Sequence, residues 1–242
     1  MNNSYFKQIS ALLEDIENTQ TPAMQKAAAF AAQTMERDGI IYTFGAGHSH
    51  GAAVENFHRS GCPACVSAVL DPAFSFMPSA HAATDLERLE GFAPAILKRH
   101  DMRPGDLMII ISNSGRNPAG IDAALYAKQK GLKVIALTAL AAHKESKSRH
   151  SCGKTLKDLA DVVIDDRCSK QETALVCENP GRAPVSTIAC AAIINSVISQ
   201  AVKTLEEKGF KTPLYSSSNA EGGDENNSKL AEKYKRRILH LC

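Results

Sequence analysis

The chain has 242 residues, 22% of them charged, and a formal net charge of +2, so no overall basic field marks it for nucleic acid. Aromatic residues make up 5% and Trp is absent, which leaves single-stranded nucleic acid without stacking platforms. The length suits one domain with helical extensions, and the polar stretch Met1–Lys7 lacks the apolar centre of a signal peptide, so a cytoplasmic protein is expected.

Phe6, Ile9, Leu12, Leu13 and Ile16 recur at helical spacing and predict a first amphipathic helix. Thr21-Pro22 starts a second, Ala-rich from Ala27 to Ala32 and closing near Gly39. Residues 1–39 therefore form a helical extension, whose small residues suit a dimer interface or the cover of one sheet face. Ile40–Phe44 reads as a strand running into Gly45-Ala46-Gly47-His48-Ser49-His50-Gly51, followed by a helix from His50 to about Arg59. Pro63–Leu70 reads as a second strand. The long irregular segment Asp71–Thr84 is of the kind that serves a site, and a helix from Asp85 to His100 follows it.

Leu107–Ile111 is an apolar run too short for a helix and reads as a strand buried on both faces. Ser112, Asn113, Ser114 and Gly115 make a polar loop, and Asn117-Pro118 starts a helix that Gly131 stops. Further strands are predicted at Lys133–Thr138 and Val162–Ile164, with a short helix plus loop between Ala142 and Leu159. The apolar tract from Pro184 to Lys208 is interrupted by Ser186, Thr187, Asn195, Ser196, Ser199 and Gln200 and reads as a buried helix, not a membrane span. This alternation predicts an α/β fold over residues 40–209, a three-layer doubly wound parallel sheet of about five strands. Residues 210–242 form a tail that is either solvated or folded over a site, its own or a partner's. Seven scattered cysteines make no disulfide framework, and Cys62-Pro63-Ala64-Cys65 is read as a pair of small buried thiols.

Two loops of Gly, Ser and Asn, each between a strand and a helix N-terminus, offer hydroxyls and free amides to an anion, and phosphate is the natural guest. Gly45-Ala46-Gly47-His48-Ser49 together with Ser112-Asn113-Ser114-Gly115-Arg116-Asn117-Pro118 resembles the sugar isomerase (SIS) domain superfamily, whose members bind phosphosugars on a flavodoxin-like sheet. The resemblance covers roughly Gly39 to Lys208 and is nearest to stand-alone bacterial SIS proteins, which also share the Ser-Asn-Ala-Glu-Gly-Gly-Asp-Glu-Asn tail. It implies that Ser49, Ser112, Ser114 and Asn117 hold a phosphate, with His48 beside them and the amides of Gly47, Asn113 and Gly115 assisting. It further implies a homodimer or higher homo-oligomer acting on a small sugar phosphate; no cofactor and no resident metal are expected, and composition and the interrupted apolar tract argue against nucleic-acid and membrane partners.

Phosphoheptose isomerases and N-acetylmuramic acid 6-phosphate etherases carry a functional glutamate on the helix after the first loop. Arg59 stands at that place here, and Ala93 near the etherase's second glutamate, so neither role transfers. Glu55 lies one turn earlier, i,i+4 to Arg59, and is the expected base of an aldose–ketose isomerisation, with His58 or His240 opening the sugar ring. His48, His50, Glu55 and His58 are also weighed as a metal set, with His81, Glu87 and Glu90 as weaker candidates. Alternatives to an isomerase are a phosphosugar sensor acting on a partner, a sugar-phosphate etherase or lyase, and a dinucleotide binder using Gly45, Gly47, Gly51 and Asp71.

Overall fold

The computed structural model describes residues 4–77, 79–143, 147–168 and 183–241. Strands β1 (Ile41–Gly45), β2 (Val66–Ala68), β3 (Leu107–Ile111), β4 (Lys133–Thr138) and β5 (Val162–Asp165) form one all-parallel sheet in the order β2-β1-β3-β4-β5. β1 and β3 are buried at every residue, which is why they read as near-continuous apolar runs instead of alternating ones. Thr43, the polar exception, donates its hydroxyl to the Ala53 carbonyl at 2.6 Å.

The helices in chain order are α1 (Ser4–Glu36), α2 (His48–Val54), α3 (Ala80–Glu87), α4 (Phe92–Leu97), α5 (Pro118–Gln129), α6 (Leu140–His143), α7 (Leu156–Leu159), α8 (Ser186–Glu207) and α9 (Gly223–Tyr234). The chain steps one way across the sheet from β1 to β2 and the other way from β3 to β4. Right-handed crossovers therefore set α2 and α5 on opposite faces. α1 and α8 pack together, and α2 packs on α8, while α3, α4 and α7 gather on α5. The three-layer doubly wound sheet expected from the alternation is the one observed.

Three local boundaries differ from the sequence expectation. α1 runs unbroken through Pro22, although an internal proline costs a helix about 3 kcal/mol. Ile9 and Ile16 before it and Ala27, Ala28, Ala31 and Met35 after it are all buried, so packing against α8 outweighs the break. The helix after the first loop ends at Val54 and not near Arg59, and His58 takes a positive φ of 47°. The helix expected over Asp85–His100 is broken at Gly91, which adopts the left-handed conformation with φ 79°.

α8 buries Ala189, Ile193, Ile194, Val197, Ala201 and Leu205 on one side and exposes Asn195, Ser196 and Gln200 on the other. It is long and apolar enough to cross a membrane by length and composition, and here it spends that apolar stripe on α1. Cys62, Cys65 and Cys152 are free thiols, while the Cys168 and Cys190 thiols donate to the Asp166 carbonyl at 3.5 Å and carboxylate at 3.8 Å; Cys177 and Cys242 lie outside the described residues. Burial pushes the Cys65 thiol up to about 12, which keeps it protonated and unreactive.

The C-terminal segment folds onto the body. Leu214 bridges Pro63, Tyr215 and Tyr234 are buried, and Arg237 donates to Asp106 at 2.7 Å. The Asn-rich stretch holds its own turn: Asn227 bonds both the amide and the carbonyl of Ser216 at 2.9 Å. Gly223 is required there, since a Cβ would stand 2.0 Å from the Ser217 carbonyl oxygen.

His100 is 6% exposed, with its ring against Tyr42 and that of His240 5.8 Å away. Burial, then His240 and Arg99, push its pKa down to about 4, Asp71 opposing. The unfolded chain, titrating near 6.5, therefore binds the extra proton between pH 6.5 and 4. Stability falls as pH drops through that window, by about 3 kcal/mol from this group. Urea unfolding at pH 4.5 and 7 is expected to show this loss, and His100→Phe to flatten it; an unchanged slope in the variant would assign the loss elsewhere.

Candidate phosphate-binding site

β1 and β3 are neighbours, with Gly45 paired to Ile111, so the loops that follow them leave the sheet side by side, about 4.8 Å apart at their roots. This is also where the strand order reverses, the position at which open α/β sheets bind ligands. A cavity of about 200 Å³ opens there, lined by Gly47, His48 and Ser49 from the first loop and by Ser112, Asn113, Ser114 and Asn117 from the second. Ala119 and Gly120 at the start of α5 form its floor, and Phe76, Thr84 and Glu87 one wall.

The first loop depends on its glycines. Gly47 has φ 60° and donates its N–H to the Phe74 carbonyl at 2.8 Å, and the His48 ring rests 4.7 Å from that of Phe76. At Gly45 a Cβ would lie 2.3 Å from the Ser49 carbonyl oxygen, a backbone atom that cannot move without the loop. Gly45→Ala is therefore expected to cost about 1–3 kcal/mol of stability and to weaken phosphate binding at least as much, read by thermal unfolding with and without inorganic phosphate.

The second loop is pinned to β4. Ser112 donates its N–H to the Leu137 carbonyl at 3.0 Å, and the Thr138 hydroxyl bonds the Ser112 carbonyl at 2.6 Å. Gly115 turns back so that its N–H reaches the Ser112 hydroxyl at 3.3 Å. Asn113 is 6% exposed, yet among the described residues neither polar atom of its side chain has a partner. A buried amide left in that state costs about 1–3 kcal/mol.

Asn117 occupies the N-cap position of α5 but makes no capping bond. Its amide donates instead to Glu87, and its carbonyl oxygen accepts from Arg149 at 2.9 Å. The first amides of α5 thus keep no side-chain cap where Ala119 and Gly120 face the cavity, which leaves the helix N-terminus open to an anion.

Of the predicted phosphate ligands, Gly47, His48, Ser49, Ser112, Asn113, Ser114 and Asn117 line one cavity. Gly115 lies behind them, its carbonyl taking the Leu156 N–H at 2.8 Å, and two of the expected amide donors are used inside the protein, Gly47 N–H by the Phe74 carbonyl at 2.8 Å and Gly115 N–H by that of Ser112 at 3.1 Å. The expected acid–base groups fall elsewhere. Glu55 pairs with Arg59 at 3.0 Å and with Asn195 of α8 at 3.0 Å, His58 packs 4.7 Å from Tyr215, and His240 lies beside His100; none of the three lines the cavity of this chain. Among the described residues no three His, Cys, Asp or Glu side chains group as a metal site, so His48, His50, Glu55 and His58 do not converge. Asp71 spends its carboxylate on the Ala73 N–H at 3.0 Å and Gly51 has open space around it, so neither serves the dinucleotide reading. Glu87 is the carboxylate on the cavity wall. Its sequence signal was weak, because it falls at the start of the expected helix Asp85–His100, whereas it closes α3 (Ala80–Glu87), before the break at Gly91.

The SIS domain family matches residues 4–139. Over 98% of its length the chain is 38% identical to a UPF0309 protein of Listeria monocytogenes serotype 4b, covering 97% of that protein. It is 37% identical to one of Caldanaerobacter subterraneus, covering 98% of each. Among solved structures, phosphoheptose isomerase GmhA from Neisseria gonorrhoeae superposes with a TM-score of 0.56 at 18% identity, over 83% of this chain and 96% of that one. The sugar isomerase domain of an RpiR transcription factor from Sphaerobacter thermophilus gives 0.53 at 15%, over 96% of each. The parallel sheet, its paired Ser/Gly loops and these matches agree: the chain belongs to the SIS domain family.

Proposed function

We propose that the protein binds a sugar phosphate in this cavity and isomerises it between aldose and ketose. The observation that carries the reading is that two loops leaving adjacent strands bring Ser49, Ser112 and Ser114 to one cavity at the uncapped N-terminus of α5. A phosphoryl group supplies the acceptors that such a cluster of donors lacks. The cavity, about 200 Å³, is below the roughly 300–1,000 Å³ of sites for drug-sized ligands, a size for one monosaccharide and not for a dinucleotide.

Isomerisation needs a base that carries a proton between C2 and C1 and a group that opens the ring. Glu87 is the carboxylate on the wall, held in place by the Asn117 amide, and we assign it the proton transfer in place of Glu55. His48 is the imidazole on the same cavity and takes ring opening. The reading keeps the chain a cytoplasmic homodimer, a state that sedimentation velocity tests.

A second reading, a sensor without turnover, draws on the RpiR regulator's shared fold. A thermal-shift panel of aldose and ketose phosphates identifies the ligand, since a tight ligand stabilises the fold. NMR of that ligand in heavy water then decides: exchange of the C2 proton supports the isomerase, and binding without exchange supports the sensor. No stabilisation by any sugar phosphate or by inorganic phosphate overturns both.

A further inference from the structure

Three arginines flank the residues that line the cavity on its Asn117 side: Arg88 next to Glu87, Arg116 next to Asn117, and Arg149 bonded to Asn117. Arg116 sits in the second loop between Gly115 and Asn117. Arg149 donates its backbone N–H to the Arg116 carbonyl at 2.9 Å and its Nη1 to the Asn117 carbonyl oxygen at 2.9 Å. Arg88 follows Glu87 at the end of α3. The charge of Arg149 is disfavoured by desolvation first and then by Arg116 and Arg88, with Glu87 opposing. Among the described residues, none of the three forms an ion pair with a carboxylate, and the Nε of Arg116 is buried without a hydrogen-bond partner.

The neighbouring acids are committed elsewhere. Both oxygens of Glu90 bond Ser151 at 2.6 Å, and Asp122 is held by His150 at 3.0 Å and by the Gly91 N–H at 2.7 Å. These bonds, with Leu156 N–H on the Gly115 carbonyl at 2.8 Å, fasten the segment that carries Arg149 against the phosphate loop. Arg149 is thus held beside Asn117, and Arg88 and Arg149, both exposed, present a positive potential to an incoming anion. The phosphate loop does not need it, since the hydroxyls of Ser49, Ser112 and Ser114 and the α5 terminus already supply its donors.

Resting on the phosphosugar reading, we propose that Arg88, Arg116 and Arg149 form a second anion subsite. The ligand is then a sugar phosphate with a further negative group, a carboxylate or a second phosphoryl, directed toward the Asn117 side of the cavity. Guanidinium forks bind both groups in the same bidentate way.

Calorimetric titration with glucose 6-phosphate, 6-phosphogluconate, fructose 1,6-bisphosphate and inorganic phosphate tests this. The wild type is expected to bind one of the doubly anionic sugars about 10–100-fold more tightly than glucose 6-phosphate, the range for one added charge-assisted hydrogen bond. Arg88→Gln removes most of that preference and leaves glucose 6-phosphate affinity within about twofold; Arg88→Lys, which keeps the charge, restores part of it. Equal affinity for singly and doubly charged sugars overturns the subsite while leaving the phosphosugar reading intact, and so does an equal loss for all of them in Arg88→Gln. Failure of all four probes overturns both.

Discussion

Glu87→Gln is expected to lower isomerase turnover by about 10²–10⁴-fold, the usual contribution of a general base, with KM changed little. The substitution keeps the size of the side chain and can still offer an oxygen to the Asn117 amide, so the wall and the second loop retain their shape. What it removes is the capacity to take a proton from C2. Steady-state kinetics and loss of C2 exchange in heavy water check this together. Turnover within twofold of the wild type would make Glu87 only a brace for Asn117 and return the search for the base to residues outside this cavity, Glu55 among them.

The second large effect concerns stability. Asp106 is 3% exposed and accepts from the Ile40 N–H at 2.8 Å, the Arg103 N–H at 2.8 Å and Arg237 Nη2 at 2.7 Å. One carboxylate therefore joins the start of β1, the turn before β3 and the C-terminal segment. Asp106→Ala leaves two amides without a partner and takes from the largely buried Arg237 its nearer carboxylate, with only Asp101 left to it. The expected cost is about 3–5 kcal/mol, which in a domain of this size lowers Tm by roughly 10 °C. Calorimetry reads the shift. A Tm within about 2 °C of the wild type would mean that water takes over these bonds and that the segment is held by its apolar contacts alone.

The sheet was legible because its signals are local. Leu107–Ile111 and Lys133–Thr138 are strands at the bounds that their apolar runs predict, and the two Gly/Ser loops reach one cavity because they end adjacent strands. Pro22 misled because a local cost was outweighed by packing that the sequence around it does not display. The case of Glu55 is different. Helical spacing correctly paired it with Arg59, but spacing along one helix says which side chains share a face and not what that face meets. Here it meets Asn195, 140 residues away. Glu87, Phe76 and Thr84 reach the cavity from a segment organised by a short turn at Pro72–Phe74 and a Ser79 cap on α3. Neither device announces which way the following side chains will point.

The bridge between Pro63 and Leu214 bears on how the molecule behaves in a crowd. β2 is the outermost strand on its side, and a bare margin of that kind is a template on which foreign chains can add themselves. The amides leading into it are already consumed, Gly61 by the Tyr215 carbonyl at 2.8 Å and Ala64 by that of Pro213 at 2.9 Å. Part of the protection against that kind of clumping thus comes from Pro213–Tyr215, which cap the entry to this margin and are translated about 150 residues after it.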